Sequence, residues 1–393
     1  MPVVNACAMT EFARCRNPAP AQGRIPHGSR TAQIVAPRAQ CYGSGMTATL
    51  PALIWRNART IAVGALGAGL AWALSVPAAL LVGPALAVTL AGLTGLRCAI
   101  SGPLMQVCFV VLGMGVGAGF TEQAGSAVLH WPLAFAALGL AMPVTMGACR
   151  LLLQHLFGFD RQSAVLAAAP GHLSFVLAAA ADSGSDLARI AVVQSIRLLA
   201  LTLIVPFAAL ALGYRMAASV LPVGDPMQPG HLIALAVIGV ALGLVFRRMR
   251  LPAPILLGPM LASTLGHVTG LTPGTLPAWL MIPAFLVMGT LIGTRFSGMK
   301  PAQVRAALLA GLAVTLAGAG IAALAALPVA LMLGIPQPHV LTGFAPGGLE
   351  TMLALGAAMG ASPGFIAACH IIRLLILSVL IPLALHRAGR QMA

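Results

Sequence analysis

The chain has 393 residues, of which 59% are hydrophobic and only 7% are charged. Soluble domains carry charge on about a quarter of their residues, so a soluble globule is excluded and a lipid bilayer is the surrounding this composition fits. The net charge of +15, from 22 basic and 7 acidic residues, would suggest nucleic acid in a soluble protein; in a chain this apolar it reads as the positive-inside bias of membrane loops, and no nucleic-acid partner is expected.

In chain order, residues 1–45 come first and differ from everything after them. They hold Arg14, Arg16, Arg24, Arg30 and Arg38 among scattered Pro and Gly, without the apolar run a secretory signal needs. Two readings stand: a disordered leader, or a start placed too early, since Met46 directly precedes the first membrane segment. From there the pattern predicts six apolar segments with cores at 60–76, 78–96, 103–120, 130–156, 162–181 and 187–214. A Pro/Gly-rich link follows, then six more cores at 231–246, 253–269, 278–294, 303–333, 339–358 and 364–386. The organisation is thus repeat 1 over 46–215, a linker over 216–230 and repeat 2 over 231–393. Strand alternation is absent, so a transmembrane barrel is not supported.

The two sets are copies. Val82-Gly83-Pro84-Ala85-Leu86-Ala87 recurs as Leu257-Gly258-Pro259-Met260-Leu261-Ala262, and Gly113 and Gly117 match Gly289 and Gly293. Ile190–Phe207 aligns without gaps to Ile366–Leu383 with 8 of 18 residues identical. Pro170 to Pro346, Arg197 to Arg373 and Pro206 to Pro382 are each separated by 176 residues. Shared Ala and Leu carry little weight in this composition, but Arg and Pro at one fixed offset indicate duplication. Loop charges suggest how the copies are oriented. In the first, basic residues precede segment one (Arg56, Arg59) and follow segments two (Arg97) and four (Arg161), while the loop after segment three carries Glu122. In the second they follow segment one (Arg247, Arg248, Arg250) and segment three (Arg295, Lys300, Arg305). This shift by one crossing predicts copies facing opposite ways. Inversion needs an odd number of crossings, so one segment of six must fail to span. Segment five, split by Ala-Pro-Gly, is the candidate. Arg189 and Arg215 fit this scheme less well.

Inverted repeats with Gly/Pro-broken segments at matching positions are a mark of secondary transporters, whose substrate sites lie at the breaks. The candidate substrate-binding residues are therefore Pro170, Gly171, His172 and Ser174 at the first break and Pro346, Gly347, Gly348 and Glu350 at the second. Half-helix N-termini there would offer free N–H groups to an anion; an ordinary kink is the alternative. Glu350, an acid inside an apolar segment, is either functional or compensates a helix terminus or an Arg. Gln194-x-x-Arg197 and His370-x-x-Arg373 place two polar residues on one helix face in each copy. An intramembrane Arg needs a partner or a cavity. It faces the substrate, or it holds carbonyls of the broken helices. His370 is read either as a proton carrier or as a packed polar residue. Asp182 and Asp186, around Ser-Gly-Ser, read as a loop and helix cap. The Gly-Pro pairs and Gly-rich third segments are expected to permit close helix packing. The seven Cys form no CxxC pair, and no Cys/His cluster or HExxH appears, so no metal site, cofactor or catalytic residue is expected. No P-loop, GxSxG or dinucleotide fingerprint occurs either, so the protein is not expected to be an enzyme.

Phe344-Ala345-Pro346-Gly347-Gly348-Leu349-Glu350-Thr351-Met352, then Gly360-Ala361 and His370-Ile371-Ile372-Arg373, resembles the second-half signature of the membrane AbrB family. Pro170-Gly171-x-Leu173-Ser174 with Gln194-Ser195-Ile196-Arg197-Leu198 resembles its first-half signature, and the Leu-Gly-Pro-x-Leu-Ala run at 257–262 is similar to its second-segment motif. The resemblance covers residues 50–388. It implies a multi-pass bacterial inner-membrane protein: an all-α polytopic fold of two inverted repeats with broken or re-entrant helices, similar to the cation/proton antiporter and anion transporter group. Homodimers are common for that architecture. Family members are labelled regulators of gene expression or ammonia monooxygenases, but a monooxygenase should show metal ligands and none are found. The chain departs from the family pattern at His172, where Gly is usual, at Phe175-Val176, where an acid-Met pair is common, and at Ser362, where Asp is common. Glu350 is thereby the lone acid of the paired motifs. The function expected is secondary transport of a small solute, such as an organic anion, by alternating access with or without a coupling ion. The alternative is a membrane sensor or regulator that affects gene expression indirectly, without net transport.

Overall fold

The computed structural model describes residues 50–119, 131–171, 173–183, 185–213, 225–249, 251 and 253–390. The leader, Glu122, His172, Arg215 and most of the linker lie outside the described residues. The chain divides into Met1–Trp55 and Arg56–Ala393, and the fold is that of the second unit.

The helices defined among the described residues are α1 (Leu50–Ala73), α2 (Ala79–Leu93), α3 (Gly102–Gly117), α4 (Trp131–Phe157), α5 (Arg161–Ala168), α6 (Leu173–Ser183) and α7 (Leu187–Ala211). The second set is α8 (Pro229–Arg248), α9 (Pro254–Val268), α10 (Ala278–Thr294), α11 (Pro301–Leu333), α12 (Gln337–Phe344), α13 (Leu349–Ala358) and α14 (Pro363–Arg390). No strand occurs among the described residues; Pro226 and Thr275 form an isolated bridge. The helices α4, α7, α8, α11 and α14 are long and apolar enough to cross a membrane. Their outward faces carry residues such as Leu309, Leu316, Leu324 and Leu331 of α11, each at least 60% exposed. These recur at helical spacing and would cost heavily in water, whereas lipid tails accept them. The protein is an all-α polytopic membrane protein.

The packing is reciprocal between the halves. The helix α3 packs on α9 as α10 packs on α2, and α4 packs on α14 as α7 packs on α11. Glycine sets the first pair of contacts. A Cβ on Gly113 would stand 2.4 Å from the Leu256 carbonyl oxygen, and one on Gly117 2.3 Å from that of Met260. Their counterparts behave alike: Gly289 would meet the Leu81 oxygen at 2.5 Å and Gly293 the Ala85 oxygen at 2.8 Å. The Gly-Pro motif serves the neighbouring contact. A Cβ on Gly83 would reach the Gly67 oxygen at 2.3 Å, and one on Gly258 the Gly243 nitrogen at 2.3 Å. These helices therefore touch backbone to backbone, as small residues in membranes allow. Even the left-handed residues that head α2 and α9, Ala78 (φ 51°) and Ala253 (φ 43°), recur.

Segment five of each copy is broken where the sequence places the break. A residue before proline is pushed out of the helical region, and Ala169 (ψ 118°) and Ala345 (ψ 132°) are extended, ending α5 and α12. The chain then turns back. The Asp186 amide, at the head of α7, donates to the Ser163 hydroxyl at the start of α5 (3.4 Å). Arg189, one turn into α7, donates to the carbonyls of Phe157 (2.6 Å) and Gly158 just ahead of α5. The second copy repeats this at an identical offset: the Ser362 amide, ahead of α14, lies 3.4 Å from His339 Nδ1 at the start of α12. Both ends of each broken segment thus sit at one level. The pairs α5–α6 and α12–α13 are therefore hairpins that return the chain to the level at which it entered them. Asp186 caps α7 by accepting from the Arg189 amide (3.0 Å), as the cap reading expected, and Arg189 lies over the Phe159 ring at 3.7 Å.

Candidate functional site

The tips of the two hairpins meet. A Cβ on Gly171 would lie 4.0 Å from the Gly347 carbonyl oxygen and 3.9 Å from Leu374 of α14, while Gly348 faces Leu198 of α7 at 3.5 Å. Leu198 and Leu374 are equivalent positions, so each long helix packs against the tip contributed by the other copy. Gly171 has φ +103°, a conformation that favours glycine. Between the tips is a cavity of about 250 Å³ lined by Gly171, Gln194 and Arg197 from the first copy and by Gly347, Gly348, Glu350, His370 and Arg373 from the second.

The two arginines are 2% and 1% exposed, ten residues into α7 and α14, which is about three turns. Each holds the carbonyl end of its own first half-helix. Arg197 donates to the Ala169 oxygen (2.9 Å) and to Gln194 Oε1. Arg373 donates to the oxygens of Ala345 (2.7 Å) and Gly343 (2.7 Å). A cation at a helix C-terminus is where the dipole favours it, and carbonyls freed by the break would otherwise be orphaned in a dry interior. Of the two sequence readings, carbonyl holding is therefore observed, and both side chains also line the cavity. The Nε of each is buried without a partner, and both side chains face one cavity.

The copies differ one turn earlier. Gln194 spends its whole amide: Nε2 donates to the oxygens of Leu166 (3.0 Å), Ala167 (3.3 Å) and Ala169 (3.1 Å) while Oε1 accepts from Arg197. His370, at the equivalent place, uses Nδ1 on the Ile366 oxygen (2.9 Å) and leaves Nε2 buried without a partner. The carbonyl that Gln194 holds in copy one, Ala167, corresponds to Gly343, which Arg373 holds alone.

The second half-helices point their amino ends at the same place. The helix α13 starts at Leu349 after Gly348, with no side-chain cap, so its first-turn N–H groups are open to a ligand. Pro170 and Pro346 are buried in the turns. Ser174 lies in the first turn of α6, and His172 is outside the described residues. Glu350 is half-buried, and its charge acts on Arg295. Arg295 was read from the sequence as a loop charge only; it caps α10 and lines this cavity. Sequence reasoning missed it because a basic residue at a segment end looks like a topology signal. Leu198 and Leu374 were missed as well, although their identity in the duplicated block was the available hint. Among the described residues no group of His, Cys, Asp and Glu could hold a metal ion. The fixed charges lining the cavity are three guanidiniums against one carboxylate, which suits an anion.

Comparison with known proteins gives the lineage. The model of the family described as "Transition state regulatory protein AbrB" matches residues 80–388. The chain is similar to "Uncharacterized protein YhjN" of Bacillus subtilis (strain 168), with 25% identity over 57% of this chain and 62% of that protein, so it spans less than two thirds of that relative's length. It is also similar to "Putative regulator AbrB" of Escherichia coli (strain K12), with 26% identity over 77% of this chain and 87% of that protein. No solved structure matches. Broken, carbonyl-held hairpins within a duplicated membrane bundle are thus the setting of the family's sequence signature, and the chain belongs to the AbrB family.

Proposed function

We propose that this protein is a secondary transporter of a small organic anion in the bacterial inner membrane, working by alternating access at its paired breaks, and that it is not an enzyme. The observation that carries this is the meeting of two re-entrant hairpins around a cavity lined by Arg197, Arg373, Arg295 and Glu350. Two buried guanidiniums that share one cavity in a low-dielectric interior are stabilised by an anion between them. An anion held there binds the state in which the tips are together more tightly than a state in which they part. That difference is what occupancy needs in order to shift a conformational equilibrium.

With segment five re-entrant, each copy makes five crossings when its other segments span. An odd number gives the copies opposite orientations, in line with the one-crossing shift of the basic loops. The symmetric reciprocity of α3 on α9 and α10 on α2 supports two halves that can exchange roles across the membrane.

Uptake of labelled organic anions into proteoliposomes tests this reading. Arg197→Ala is the informative variant, because Gln194 still holds the Ala169 carbonyl in its absence. Saturable uptake lost in the folded variant is expected. Binding without uptake would instead favour a sensor, the reading that the name of the Escherichia coli relative suggests.

A further inference from the structure

The most uneven feature of this paired site is His370. It is 2% exposed, it lines the cavity, and its Nε2 is buried without a hydrogen-bond partner. The tautomer follows from Nδ1. That atom lies 2.9 Å from the Ile366 carbonyl oxygen, and a carbonyl can only accept, so Nδ1 carries the proton. In a cavity lined by two guanidiniums the ring is uncharged, and Nε2 then holds a lone pair. Because Nδ1 is tethered back to its own helix, the distal edge of the ring, which carries Nε2, is the part turned away from the backbone of α14. Every other polar group that faces this cavity from the long helices is a donor or is already spent. The guanidiniums only donate, and Gln194 Oε1 accepts from Arg197.

Resting on the anion reading above, we infer that the ligand is a small carboxylate that also bears a hydroxyl group. The carboxylate is held by the Arg197 and Arg373 Nε–H groups and the open amino end of α13, and the hydroxyl donates to His370 Nε2. An ammonium donor in place of the hydroxyl is disfavoured, since the lining charges sum to a positive value with Arg197, Arg295 and Arg373 against Glu350. Beside the Glu350 carboxylate at the hairpin tip, the two copies explain why the long helices offer one open acceptor. Copy one fills the position with an amide that satisfies itself on carbonyls, and copy two fills it with an imidazole that cannot reach them. Arg373 has taken over the Gly343 carbonyl, leaving Nε2 for the ligand.

The test is equilibrium binding to the purified full-length protein in detergent, comparing malate with succinate and lactate with propionate. Within each pair only the hydroxyl changes. The hydroxylated acid of each pair is expected to bind about tenfold more tightly, the scale of one buried hydrogen bond whose loss leaves a partner unsatisfied. His370→Gln places in copy two the side chain that copy one already accommodates. Its amide can turn to the carbonyls and to Arg373, so the ratio should fall to about one. Equal affinities within both pairs for the wild-type protein would overturn this inference while leaving the anion reading intact. Failure of all four acids to bind would count against the anion reading itself and this inference with it. A tenfold preference that persists in His370→Gln would remove His370 from the explanation.

Discussion

Replacing Arg373 with alanine should cost more stability than replacing Arg197, although the two occupy equivalent positions. Arg373 donates to two carbonyls, those of Ala345 and Gly343, both at 2.7 Å; the Ala345 oxygen also accepts from the Gly347 amide (2.8 Å), so Gly343 is the carbonyl that loses its donor when Arg373 is removed. Hydrogen bonds to a charged group contribute about 1.5–3 kcal/mol each, and a buried acceptor left without a partner costs further. The removal of Arg373 should therefore destabilise by about 3–6 kcal/mol. Arg197 holds one carbonyl, that of Ala169, and that oxygen also accepts from Gln194 Nε2 at 3.1 Å. Its removal loses two bonds as well, but it leaves no carbonyl without a donor and Gln194 Oε1 can turn toward the cavity, so the loss should fall at the lower end of that range, about 3 kcal/mol. Hydrogen bonds within membranes often measure smaller than this because the unfolded reference state finds partners too. That correction applies to both variants and preserves their order. Equilibrium unfolding in mixed micelles, read by a spectroscopic probe, measures the two values. An Arg197→Ala loss equal to or larger than that of Arg373→Ala would refute the carbonyl-holding argument. In Gln194→Ala, by contrast, a second substitution at Arg197 should become more costly than in the parent, since the Ala169 oxygen then has no reserve donor.

Further outcomes follow from the geometry. Cysteines introduced at Gly158 and Asp186 should react with an impermeant thiol reagent from one face of the membrane, because the hairpin returns the chain to its starting level; labelling from opposite faces would mean that α5–α6 spans. Gly258→Ala, whose Cβ would meet the Gly243 nitrogen at 2.3 Å, should lower the thermal midpoint sharply or abolish folded protein. Gly320→Ala, with nothing within 4 Å, should be neutral or slightly stabilising by helix propensity. Asp160→Ala, which removes the acceptor of the Ser163 amide at the head of α5 (2.9 Å), should destabilise by about 1 kcal/mol in the same unfolding assay.

Much of this protein was legible in its sequence, for physical reasons that particular residues illustrate. A chain with 7% charge has no means of covering a water-facing surface, so the membrane class follows from composition alone. Pro170 and Pro346 break helices by covalent geometry, wherever the rest of the chain goes. The offset of 176 residues between Arg197 and Arg373 is a property of the string, and it returned in the structure as matched bonds to Ala169 and Ala345. Glycine at 83, 113, 258 and 289 announced close packing, because only glycine permits it.

What the sequence left open concerns direction and partners, which depend on how distant segments meet. Pro-Gly fixes a break but not whether the chain continues across the bilayer or turns back. Only the contacts of Asp186 with Ser163 and of Ser362 with His339 decided for a hairpin. An intramembrane arginine demands a partner, yet composition cannot say whether that partner is a carbonyl or a solute; here half-helix carbonyls and, for Arg197, Gln194 Oε1 take the terminal nitrogens, and Nε remains. Arg295 looked like a loop charge until packing of α10 brought it to the cavity beside Glu350. The difference between Gln194 and His370 is visible in the string as two polar residues, but its consequence is not. A satisfied amide in one copy and an orphaned imidazole nitrogen in the other arise only once the side chains have found, or failed to find, their carbonyls.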